Sequence, residues 1–134
     1  MTLTLLFADG TTQAALTDTT VYPSGNTSVR SYAEIHLAED AMSLAELEVL
    51  FKDESKTSKI HFVLEEDGSV RADELYENFI YLTECGKRLC QETNNSTGTA
   101  TESMHLVVRL EQPTYNEQLI RQIEQAYHII REGE

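Results

Sequence analysis

Two cysteines and four histidines are the residues of this 134-residue chain best suited to chemistry. Cys85 and Cys90 flank Gly86-Lys87-Arg88-Leu89. In a tight hairpin their sulfurs would face each other, with Lys87 and Arg88 favouring the thiolates. A redox pair normally uses Cys-x-x-Cys, and a zinc site needs two more ligands. The expectation is therefore a hairpin with two small, idle or buried thiols. His36, His61 and His105 fall on the polar phase of three alternating segments. As neighbours they could line a metal site, but neither His-x-His nor His-x-x-x-His occurs. Solvent-facing sheet histidines are expected instead, and His128 should lie beside an apolar stripe.

Carboxylates cluster at Glu39-Asp40, Asp53-Glu54, Glu65-Glu66-Asp67 and Asp73-Glu74. Acid–base work needs a cleft that drives two such groups apart in pKa. These pairs sit at turns and helix ends, where solvated carboxylates are ordinary. The chain has no Gly-rich phosphate loop, Gly-x-Ser-x-Gly elbow or Walker lysine. No catalytic, cofactor-binding or metal-binding residue is assigned, and no enzymatic activity is expected.

Ten basic against twenty-three acidic residues give a net charge of −13. Such a charge repels nucleic acid and anionic membranes, and suits a basic protein partner. No apolar run approaches the ~18 residues of a membrane helix. Asp9 follows Met1 to Ala8 without a basic n-region, so no signal peptide is expected. A cytoplasmic location, or exit by lysis, with reduced cysteines, is the expectation.

The elements that must position these residues form one domain, 1–134. Thr2 to Ala8 is apolar enough for a buried strand, and Asp9-Gly10 is a hairpin signal. Thr11 to Tyr22 suits one strand or two short ones, broken at Pro23-Ser24-Gly25-Asn26. From Val29 to Leu37 the alternation is clean, with Ala33, Ile35 and Leu37 on one face. Ser43 and Glu46 form a capping box for a helix near 43–52, followed by a polar loop from Glu54 to Ser58. Ile60, Phe62 and Leu64 mark a strand, and Asp67-Gly68 a second hairpin. Asp73 to Gln91 is ambiguous, its start resembling a helical turn and Phe79 to Leu82 a strand. Asn94 to Glu102 reads as a polar loop, and Met104 to Leu110 as a last strand. The sum is an α+β fold: an antiparallel β-sheet or small β-sandwich, one short embedded helix and a C-terminal amphipathic helix.

That last helix, 113–132, is the clearest segment. Thr114 and Glu117 make a capping box, and Leu119, Ile123, Ala126 and Ile130 recur at heptad spacing. Tyr115, Ile120 and Tyr127 widen the stripe. Such a helix either covers a face of its own sheet or binds a protein partner, including a second copy. Leu119, Ile123, Ala126 and Ile130 are the candidate partner-binding residues.

The segments FADGTT, SVRSYAEIHL, SLAELEVLFKDESKTSKIHF and EQPTYNEQLIRQIE resemble, in their order, small phage and prophage proteins of Gram-positive bacteria encoded near tail or other late structural genes. The resemblance implies a non-enzymatic virion-associated or assembly protein working through protein contacts. The charge supports a second expectation: an acidic, DNA-mimicking inhibitor of a host nucleic-acid-binding protein.

Overall fold

The computed structural model describes the backbone of residues 1–94 and 98–132 and the side chains of 1–91 and 98–126. Strand β1 (Thr2–Phe7) turns Leu3, Leu5 and Phe7 inward on alternate residues. A short turn leads into β2 (Thr12–Ala15), with Gly10 at φ 88°, a region open to glycine without a Cβ clash. The chain then forms β3 (Thr20–Tyr22) and β4 (Tyr32–Ala38). Helix α1 (Leu44–Lys52) starts at the expected capping box, with Ser43 Oγ accepting from the Glu46 N–H at 3.1 Å. Asp53 caps a one-turn α2 (Glu54–Thr57). Asp67 (φ 52°) and Gly68 (φ 78°) turn β5 (Lys59–Glu66) into β6 (Ser69–Glu77). Two positive φ values at a two-residue turn match the twist of flanking strands. The long strands β7 (Tyr81–Asn94) and β8 (Thr99–Glu111) precede α3 (Tyr115–Glu132).

These strands make two antiparallel four-stranded sheets, ordered β2-β1-β5-β6 and β3-β4-β8-β7. The fold is α+β and sandwich-like. Both sheets and α1 feed one core, built from Leu5 and Phe7, Ile35 and Leu37, Leu47 and Phe51, Ile60, and Leu106, Val108 and Leu110. Fully buried Phe79 fills the crossing from β6 to β7, tilted against Tyr76 at 5.8 Å. Asn78, left-handed at φ 64°, ends β6 there.

Several boundaries differ from the sequence expectation. Thr11 to Tyr22 takes the second of its two expected forms, two short strands β2 and β3, but these lie in different sheets. The polar run after Asp53 holds a helical turn, because the Asp53 carboxylate accepts from the Ser55 N–H at 3.0 Å. Asp73 to Glu77 is strand, paired with Lys59 to Val63, and not a helical turn. The Gly86-Lys87-Arg88-Leu89 segment is mid-strand in β7, not a hairpin. Of the expected polar loop, Asn94 belongs to β7 and Thr99 to Glu102 belong to β8, while 95–97 lie outside the described residues.

Candidate functional site

On the face of the β3-β4-β8-β7 sheet turned away from the core, two imidazoles are buried. His36 is 6% exposed and His105 2%. The alternation of β4 and β8 does put them on the face opposite Ile35, Leu37, Leu106 and Val108, as expected. They are not solvent-facing, however. Antiparallel pairing sets His36 opposite Val107 and His105 opposite Ala38, so the two rings are diagonal neighbours on one face. Their Nδ1 atoms lie 3.0 Å apart and the rings cross at 90°.

Two further groups reach the same point. The loop between β2 and β3 is tied to β4 by the Leu16 N–H to His36 carbonyl bond (2.8 Å) and by the His36 N–H to Thr19 Oγ1 bond (3.0 Å). This sets the Asp18 Oδ2 atom 3.6 Å from His36 Nδ1 and 3.4 Å from His105 Nδ1. Cys90 Sγ is 3.9 Å from His36 Nδ1. In a flat sheet the register would leave Cys90 and His36 two strands and four residues apart, roughly 15 Å or more between Cα atoms. The β7–β8 hairpin must therefore curl towards β4. The ligand-type atoms of His36, Cys90 and His105 all lie within 4.8 Å of one another.

The outer nitrogens of both rings are held as well. His36 Nε2 is 2.9 Å from the Glu34 carboxylate, which also receives Arg88 Nη1 at 2.6 Å. His105 Nε2 is 3.1 Å from Ser103 Oγ. A carboxylate only accepts, so His36 Nε2 is the donor to Glu34.

Helix α3 is fastened at its start. The Glu117 carboxylate accepts from Arg30 Nε at 2.9 Å and from the Thr114 N–H at 3.1 Å. Arg121 reaches Glu54 at 3.2 Å. Gln118, Arg121, Gln122 and Gln125, at i, i+3, i+4 and i+7, line a shallow cleft with Glu54, Ser58, Asn78 and Pro113. The helix thus turns a polar face to its own domain. Its apolar stripe is bare: Leu119 is 39% exposed, Ile120 55% and Ile123 67%. Ala126 is exposed too, and the Ile130 side chain lies outside the described residues. Among the described residues the stripe does not cover the protein's own sheet.

The remaining candidates are separate. Cys85 and Cys90 form no disulfide and lie five residues apart on one strand, hence on opposite faces, Cys85 packing against the core. Burial pushes the Cys85 thiol up from its ordinary pKa. His61 sits on the other sheet, 2.9 Å from Asp73. No helix of the described residues is long and apolar enough to cross a membrane. Period-two patterning located the histidines' face, but not what covers it. No family model matches this chain, and neither does any curated protein or solved structure.

Proposed function

We propose that this protein is a non-enzymatic assembly module that associates with a second copy of itself through the apolar stripe of α3. The observation that carries the reading is the inverted helix. Gln118 and Arg121 lie partly buried against the domain, while Leu119, Ile120 and Ile123 face solvent at 39%, 55% and 67% exposure. A contiguous apolar patch on a surface marks a contact site. A helix that leans on its own domain only through polar side chains gains most of its stability elsewhere. Helix α3 carries Glu117, Arg121, Glu124, Arg131 and Glu132, nearly balanced in charge, so two stripes meet without the repulsion that the acidic body would impose. Coiled-coil-like pairing places Leu119, Ile123 and Ala126, with Ile130 further along, in the seam. A virion or prophage setting, such as a tail or baseplate accessory, is the context that the sequence resemblance suggests for such a module. No observation among the described residues favours the DNA-mimic alternative. The acids occupy both sheets and α1 instead of one row, and Asp9, Glu34, Glu48, Glu54 and Glu117 are each in an ion pair.

The test is the mass of the wild type and of Ile123→Asp, measured by sedimentation across a concentration series. A wild-type dimer or larger species, reduced to monomer in the variant with unchanged β-sheet circular dichroism, is expected. A strictly monomeric wild type whose helicity and stability ignore the substitution would sink the proposal.

A further inference from the structure

We infer that Asp18, His36, Cys90 and His105 form a structural zinc site that locks the curled β7–β8 hairpin and the β2–β3 loop onto β4. Three atoms of the types zinc prefers, two imidazole nitrogens and a sulfur, lie within 4.8 Å of one another, and the Asp18 carboxylate stands beside the two imidazoles as the candidate fourth ligand. A tetrahedron with ordinary zinc–ligand lengths places its corners about 3.3–3.6 Å apart. The Nδ1 separation of 3.0 Å, the Asp18 distances of 3.6 and 3.4 Å, and the Cys90–His36 distance of 3.9 Å are within a few tenths of that. The thiol, the carboxylate and the rings come from four different elements, so a bound ion would cross-link parts of the chain far apart in sequence.

The surroundings match a metal site as well as the ligands do. Metal-bound histidines usually give their second ring N–H to a carboxylate or another fixed acceptor, which aims the ring. Glu34 fills that role for His36 at 2.9 Å, and Ser103 for His105 at 3.1 Å. Arg88 in turn steadies Glu34. Starting from two neutral imidazoles, binding through Nδ1 leaves the His105 ring proton on Nε2, donated to Ser103 Oγ. Cys90 releases its thiol proton to solvent. One Zn²⁺ therefore replaces one proton, and the doubly charged ion is neutralised by one thiolate and one carboxylate.

The experiment uses the full chain, stripped with chelator and titrated with zinc, then with cobalt(II) as a spectroscopic stand-in. One equivalent should bind. Cobalt should give a thiolate charge-transfer band and the strong visible bands of tetrahedral coordination. Cys90→Ser, a partly exposed and conservative change, should abolish the charge-transfer band. Glu34→Gln should weaken zinc roughly ten- to a hundredfold. Cys85→Ser and His61→Gln should leave both untouched. Absent or superstoichiometric binding, a spectrum surviving Cys90→Ser, or octahedral cobalt would overturn the site. Should copper(II) bind with an intense thiolate band while zinc does not, the assignment to zinc would fall.

Discussion

Glu117 does two things at the entrance to α3. Its carboxylate completes the capping box with Thr114, and it grips the Arg30 guanidinium. The Arg30 hydrogen bonds first, and the Thr114 N–H second, hold its carboxyl at about 2, below the ordinary 4.5. A carboxyl with a depressed folded-state pKa stabilises the protein fully above its unfolded value and loses that contribution as pH falls through the folded one. Glu117→Gln keeps a side chain able to cap but removes the charge. Its stability deficit against wild type should be constant well above pH 4.5, shrink as the pH falls from there, and vanish only below about pH 2. Paired denaturation curves across that range check it; a deficit independent of pH would show that Arg30 contributes nothing there. Residue chemistry was only half visible beforehand. The capping box could be read because its partners are three residues apart. The pairing of His36 with His105 could not, because 69 residues separate them and only strand pairing makes them neighbours. A histidine on the outward phase of two strands, with a cysteine on the outward phase of a third, was the one available signal.

Helix α1 shows how an element is fixed by very few side chains. Leu47 and Phe51, one turn apart, are fully buried, and the Phe51 ring meets Phe7 edge-on at 5.9 Å. Val49, on the opposite side, is 73% exposed. Phe51→Ala should therefore cost about 3–5 kcal/mol, and Ser43→Ala about 1 kcal/mol through loss of the cap. Val49→Ala should fall within about 0.5 kcal/mol of wild type. Urea unfolding measures all three, and equal costs for Phe51→Ala and Val49→Ala would contradict the packing. Elements with local signals were legible: α1 from its cap and apolar spacing, and the β5–β6 turn from Asp67-Gly68. The β7 strand was not, since Gly86, Lys87 and Arg88 are poor strand formers. What makes them strand is the unbroken ladder to Val107, Leu106 and His105. Tertiary pairing overrides propensity there.

Across the whole molecule, stability should be unevenly shared along the β7–β8 hairpin. From Leu106 to Leu110, β8 lies in the core, and its amides should exchange only by global unfolding. Beyond His105, Thr99 to Glu102 are exposed, Leu89 is 56% exposed and Met104 37%, so little apolar burial holds the curled arm. The net charge of −13 adds diffuse repulsion that favours opening of any weakly held part. The cluster of His36, His105, Cys90 and Asp18 is where this arm meets β4 and the β2–β3 loop. Hydrogen exchange of the chelator-stripped protein should show a step in protection at His105, with amides of 87–91 and 99–104 opening well below the global free energy. One equivalent of zinc should slow exchange in those segments and at 16–19, and leave Leu106 to Leu110 changed only through the global term. Cys90→Ser should erase the zinc effect while keeping the step. Uniform protection to the end of the arm without metal would mean that backbone pairing alone holds it, and the ion would then have nothing to lock.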